Sequence, residues 1–154
     1  MAAPLQLCVR RSPSPDIGAF GASIRLRVPS DVACIEQAVS LVTRHCLSGT
    51  PASDRLRFRL QVVLAEALAN AVICGNGQDP AKWVDVEAEL SPGIIRVTVT
   101  DEGEGFDPAQ VPEPTRPEQV FDTCGRGLFL IRKLVDELAF NEQGNSICMT
   151  LRRR

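Results

Sequence analysis

The sequence predicts an α/β sandwich: one mixed, mostly antiparallel sheet with helices on one face. Three observations carry that prediction. Ile24, Leu26 and Val28 alternate with Arg25 and Arg27, and the same alternation returns at Val84, Val86, Ala88 and at Ile95, Val97, Val99; a period of two marks half-buried strands. Between these runs, apolar residues recur at three- and four-residue spacing, the mark of helices laid on a core. The chain has 154 residues, enough to bury a core without help from metal or disulfides.

Taken in order, residues 1–21 hold Pro4, Pro13, Pro15, Gly18 and Gly21 without periodicity and are expected to be a flexible tail, leaving 22–154 as the folded domain. Pro29 stops the first strand. Ser30 or Asp31 then caps a helix whose Val32, Ile35, Val39, Val42 and Cys46 share a face. Thr50-Pro51-Ala52-Ser53 turns the chain into a second helix, with Leu56, Leu60, Val63, Leu64, Ala67, Leu68 and Ala71 inward. The runs 84–90 and 95–99 around Ser91-Pro92-Gly93 form an antiparallel hairpin. Prolines 108, 112, 114 and 117 make residues 106–124 a long loop, the kind that serves as a lid or partner surface. Gly125-Arg126-Gly127 opens a third helix, with Leu128, Ile131, Leu134, Val135 and Leu138 buried, and strands near 139–140 and 147–151 close the domain.

Composition removes several classes of function. A net charge of -2 gives no basic excess for phosphate contacts, against direct nucleic-acid binding. No apolar run is expected to approach the roughly 20 residues that span a bilayer, and the first residues lack the apolar core of a secretory signal. The six cysteines, at 8, 34, 46, 74, 124 and 148, form no CxxC pair and no zinc spacing with the single His45; they are expected as reduced thiols of a cytoplasmic protein.

Three short patterns carry chemistry. Glu66 and Asn70 are four apart on the second helix and share a face; a carboxylate beside a carboxamide suits a metal ion and a reacting oxygen, although a half-exposed helix edge also accommodates the pair. Asp101, at a strand end and followed by Gly103 and Gly105, can accept a hydrogen bond from an amino group, worth about 1.5–3 kcal/mol when charge-assisted. The glycines leave room for a flat ring, while a turn capped by its own aspartate accounts equally well for the same residues. Gly125 and Gly127 at a helix start leave N–H groups uncovered for an anion, with Arg126 between them either reaching phosphate or facing solvent.

In this order, ExxxN on a helix, DxGxG after a strand and GxG before a helix, the patterns resemble the GHKL superfamily of ATPases over roughly residues 22–154. The stretches EALANAV, DEGEGFDP and GRGLFLIRKLVDEL resemble most the bacterial anti-sigma-factor serine/threonine kinases, the switch-protein kinases. The resemblance implies a Bergerat-type ATP-binding fold, ATP and Mg²⁺ as cofactors, and a flexible lid. It assigns Glu66 as general base, Asn70 as the Mg²⁺ ligand, and Asp101 as acceptor of the adenine amino group with Gly103 and Gly105 lining the base. Gly125, Arg126, Gly127 and Leu128 would wrap the phosphates, and Ser146 would lie near the adenine-binding aspartate. Where many relatives have a histidine in an HGN-like pattern, this chain has Cys74-Gly75-Asn76, and Cys124 directly precedes the lid glycines as a candidate redox-responsive thiol.

The implied function is an ATP-dependent protein serine/threonine kinase and anti-sigma factor. It would phosphorylate an anti-anti-sigma protein of the STAS type and sequester a sigma factor in a partner switch, as a possible homodimer with no membrane partner. The alternative is a non-catalytic module that binds ATP and its regulator without transferring phosphate. A histidine kinase catalytic domain fits less well, because no phosphoacceptor hairpin precedes residue 30 and His45 lacks an acidic neighbour.

Overall fold

The alternating runs become strands, and register carries their apolar sides into continuous rows. The computed structural model describes residues 4–11, 21–48, 51–106 and 123–153; of the expected lid loop, 106–124, positions 107–122 lie outside them, and 123–124 belong to a helix. Strands β1 (Gln6–Arg11), β2 (Ala22–Pro29), β3 (Trp83–Leu90), β4 (Ile94–Thr100), β5 (Glu137–Phe140) and β6 (Ser146–Arg152) form one sheet in the order β1-β2-β3-β4-β6-β5. Every pairing is antiparallel, where a mixed sheet was expected. One row runs Val9, Ile24, Ala88, Val97, Met149, Leu138, and the next runs Leu26, Val86, Val99, Ile147, Phe140.

The opposite face of the sheet is polar. Arg25 pairs with Glu87 at 3.7 Å and Arg27 with Asp85 at 3.4 Å; exposed pairs of this kind contribute about 0–1 kcal/mol. Their main effect is to keep this face in water and the helices on the other.

Helix α1 (Ile35–Cys46) follows a short 3₁₀ turn that Asp31 caps by accepting from the Ala33 N–H. Ala38, Val42, Thr43 and Cys46 are its buried residues, whereas Val32, expected inward, is exposed. Helix α2 (Asp54–Ala69) begins at Ser53, whose hydroxyl accepts from the Leu56 N–H, and continues without a break into a π turn, Asn70–Gly75. The continuous helix Asp54–Gly75 has 22 residues and is long and apolar enough to cross a membrane, contrary to the expectation from sequence. Here that apolar side is core: Leu60, Val63, Leu64 and Leu68 are fully buried. Helix α3 (Thr123–Leu134) lies antiparallel to α2.

An ion pair inside the protein fixes that helix pairing. Arg59 Nη2 meets Asp136 Oδ2 at 2.9 Å, with both side chains about nine-tenths buried, and Arg59 Nε donates to the Leu134 carbonyl at 2.7 Å. Asp136 also accepts from the Arg152 N–H. The segment expected to be a flexible tail contributes β1, because Leu5, Leu7 and Val9 alternate with Gln6, Cys8 and Arg10 and complete the edge of the sheet.

Candidate functional site

The site is built where the π turn, the end of β4 and the start of α3 meet. A π turn adds a residue to the helical repeat and is common at functional sites. In this chain the Asn76 N–H reaches back to the Ala71 carbonyl and the Gln78 N–H to that of Val72. The turn brings Gly75 against the carboxylate of Asp101, so closely that a methyl on Gly75 would overlap it.

Asn76, 3 % exposed, holds this junction together. Its amide NH₂ donates to Ser30 Oγ at 2.6 Å and to the Trp83 carbonyl at 2.9 Å, and its Oδ1 accepts from the Glu102 N–H at 2.7 Å. Gly75 and Asn76 were not assigned to the site from the sequence. The signal was there in the Cys74-Gly75-Asn76 pattern, which was read only as a missing histidine.

Asp101 is half-buried, and its Oδ1 accepts from the Gly103 N–H at 2.8 Å. Burial pushes its carboxyl above the usual carboxylate range, opposed by the Gly103 N–H and by the charge of Lys82. An aspartate in such a place is a strong acceptor that lacks full solvation, and an amino group brought to it is bound tightly.

The glycines of DxGxG also lie close to the protein's own backbone. Gly103 lies against the carbonyl of Gly75, and Gly105, with φ of 79°, against that of Gln143. Phe106 then stacks edge to face on Phe140 with ring centroids 5.4 Å apart, which fixes the end of this loop to β5.

Glu66 and Asn70 converge as the sequence predicted. A methyl on Gly127 would sit 2.9 Å from Glu66 Oε2 and 3.1 Å from Asn70 Oδ1, so both polar heads meet the first turns of α3. Helix α3 begins at Thr123, ahead of the glycines. Gly125 therefore falls among the first N–H groups left unpaired, whereas Gly127 lies one turn further in, a correction to the expectation that both open the helix. Arg126 is exposed and Leu128 packs on the core.

Ser146 pairs in register with Thr100, the residue before Asp101. Its hydroxyl is 2.7 Å from that of Thr100, on the sheet face away from the helices, because Ile147, Met149 and Leu151 take the inward positions of β6. The reduced state expected for the cysteines holds for Cys8, Cys34, Cys46 and Cys148. Burial lifts the Cys46 thiol to about 12. Cys74, exposed in the π turn, is disulfide-bonded.

Glu66 and Asn70 offer hard oxygen donors, and the described residues contain no cluster of three or more acidic, histidine or cysteine side chains. Such a donor set fits Mg²⁺, which is commonly held by one or two protein oxygens and completes its octahedron with phosphate oxygens and water. The acceptor at Asp101, just after β4, abuts Gly75 of the same helix continuation, which sets an acceptor for an amino group and a metal-binding pair on one helix and its π turn.

Residues 28–151 match the histidine kinase-like ATPase domain family. The chain is 30% identical over 99 residues to the anti-sigma F factor of Geobacillus stearothermophilus, covering 62% of this chain and 66% of that protein. It is 32% identical over 107 residues to the anti-sigma F factor of Oceanobacillus iheyensis, covering 65% and 71%, and 29% identical over 114 residues to the serine-protein kinase RsbW of the same organism, covering 66% and 71%. The alignments thus span somewhat less than two thirds of the first of these relatives and somewhat more of the other two. With the site geometry and these matches together, the chain belongs to the histidine kinase-like ATPase family, among the anti-sigma-factor kinases.

Proposed function

We infer that this chain is an ATP-dependent protein serine/threonine kinase and anti-sigma factor. Its substrate is a hydroxyl on an anti-anti-sigma protein of the STAS type, and its second partner is a sigma factor that it sequesters. The observation that carries this reading is the meeting of Glu66 and Asn70 with Gly127 of α3, while Gly75 of the same helix continuation abuts Asp101. The names of the similar anti-sigma F factors and of the serine-protein kinase RsbW support the partner assignment.

In this reading residues 22–154 form the nucleotide-binding unit, extended at its edge by β1. Asp101 accepts the adenine amino group through the oxygen that Gly103 leaves open. Asn70 holds Mg²⁺ through its amide oxygen, and the N–H groups near Gly125 face the phosphates with Arg126 beside them. When bound, Mg-ATP supplies the transferable phosphoryl group with its charge partly neutralised. Glu66 orients the attacking serine hydroxyl and accepts its proton, which is the general-base role in phosphoryl transfer. The rest of the catalysis is positioning. The protein acts in the cytoplasm, and nucleotide state biases its choice between partners.

Incubation with γ-labelled ATP and STAS-domain proteins of the host tests the enzyme directly. Label on a serine or threonine of one such protein is the expected result. Nucleotide and partner binding without label on any acceptor would replace the kinase with a binding module.

A further inference from the structure

On the other side of α2 from Gly127, helices α1 and α2 border a cavity of about 300 Å³ with a mostly polar lining. Helical spacing assembles it. Ser40, Thr43, Arg44 and Leu47 fall at i, i+3, i+4 and i+7 on one face of α1 and the residue that ends it, and Arg57 and Gln61 are four apart on α2. Glu66 lies nine residues beyond Arg57 on the same helix, roughly 14 Å away at 1.5 Å per residue.

Thr43 is the most buried residue of this lining, 2 % exposed, and among the described residues its Oγ1 is the one buried side-chain polar atom without a hydrogen-bond partner. A threonine within a helix commonly bonds the carbonyl four residues back, here that of Val39, and this one does not. A buried hydroxyl left unpaired is destabilising, and an acceptor brought into the adjoining cavity relieves it. Arg44 and Arg57 are exposed, and among the described residues neither has a carboxylate within ion-pair distance. In a chain whose net charge is -2, two such guanidiniums on one cavity are a local reversal of sign. The carbonyls at the end of α1 would repel an anion, but two of them are already occupied: Arg153 Nη2 donates to that of Cys46 at 3.2 Å and Ser48 Oγ to that of His45 at 3.1 Å.

We propose that this cavity is a binding site for a small phosphate monoester, whose phosphate group takes the guanidiniums of Arg44 and Arg57 and the hydroxyl of Thr43. Planar guanidinium forks match phosphate oxygens. Two positive charges balance the dianion that a phosphate monoester becomes above about pH 6, whereas one carboxylate leaves a charge unmatched. The donors come from two helices and from the most buried residue between them, an arrangement suited to oxygens pointing in several directions. A volume of about 300 Å³ is where small-molecule sites begin, roughly 300–1,000 Å³; it leaves space beside the phosphate for an organic remainder, with Ser40 and Gln61 as its polar neighbours. The site is independent of the nucleotide reading, because Glu66 and Asn70 meet α3 and this cavity faces α1.

The test titrates the full chain with glycerol 3-phosphate, inorganic phosphate and acetate at one ionic strength, followed by amide NMR and calorimetry. Both phosphates should shift residues 40–47 and 57–61, with acetate at least about tenfold weaker. Tighter binding of glycerol 3-phosphate makes the monoester the ligand, and tighter binding of inorganic phosphate makes free phosphate the ligand of the same site. Arg44→Gln, Arg57→Gln and Thr43→Val should each weaken glycerol 3-phosphate by roughly tenfold or more, the scale of a hydrogen bond to a charged group. Thr43→Val should also melt no lower than wild type without ligand and lose the rise that the phosphate gives wild type, a pairing that a purely structural hydroxyl would not produce. Shifts confined to residues 66–76 and 125–128, acetate binding as tightly as the phosphates, or unchanged affinity in the three variants would overturn the site.

Discussion

At Asp101 the chain keeps a half-buried carboxyl whose burial raises its proton affinity, more than the Gly103 N–H and Lys82 lower it. The folded carboxyl therefore holds its proton to a higher pH than the unfolded one, whose ordinary value is 3.8. Folding gains stability as pH falls through the interval between the two values and loses it as pH rises back through them. Binding of an adenine amino group needs the ionised form, so its dependence runs the other way. Calorimetry between roughly pH 4 and 7 should show ATP affinity declining on the acid side at a pH above that of an ordinary aspartate. Asp101→Asn should flatten this decline and reduce discrimination between ATP and GTP; an unchanged profile in the variant would assign the titration to another group. Glu66→Ala probes the other end of the site. Loss of the base should lower phosphoryl transfer by about 10²-fold or more with nucleotide affinity retained, and equal turnover would remove Glu66 from the chemistry. Glu66, Asn70 and Asp101 were legible because each puts a polar group where the apolar period or a strand end made it conspicuous. The alternation of Ile147, Met149 and Leu151 turns the Ser146 hydroxyl to the other side of β6, onto that of Thr100.

Between elements, what the sequence withheld is pairing at a distance. Arg59 interrupts no apolar period, and its partner Asp136 is 77 residues away, so nothing local marks it as buried. The pair nevertheless fixes α2 against the turn from α3 into β5, and through that register it sets Gly127 over Glu66 and Asn70. Arg59→Ala should cost about 3–5 kcal/mol, because it breaks a nine-tenths-buried ion pair by removing one partner. Denaturant titration measures this, and replacing both partners by Met and Leu should recover most of the loss; a loss in the double variant as large as in the single one would argue against the broken pair as its cause. The backbone approach of Gly103 to Gly75 was hidden for the same reason. Gly103→Ala places a methyl on the Gly75 carbonyl, which must shift the π turn or the strand end. A loss of more than about 2 kcal/mol is expected, with Mg-ATP binding weakened in the fraction that folds. Retained stability and affinity would show that this contact yields without consequence. β1 escaped notice because prolines and glycines on either side of it dominate the local composition and mask the alternation from Leu5 to Val9.

Across the whole molecule, three segments separated in the chain supply one site, and the sheet makes their meeting possible. The strand order places β4 between β3 and β6, so the end of β4 emerges beside the turn before β3, and Asn76 ties that turn to both Ser30 and the Asp101 loop. The hairpin 83–100 and the helix faces were legible because their periods are local, whereas the long-range order of strands and the entry of α3 were not. A ligand that spans the site should therefore stabilise the fold as a unit. Mg-ATP at 100 times its dissociation constant should add about 2.7 kcal/mol to the unfolding free energy. Hydrogen exchange should slow together at residues 66–76, 101–106 and 125–128 while β1, at the sheet edge, stays unchanged. GTP at the same concentration should stabilise less, because its six-position carbonyl offers Asp101 no amino donor. Protection confined to one of the three segments, or equal stabilisation by both nucleotides, would mean that these segments do not share a purine triphosphate.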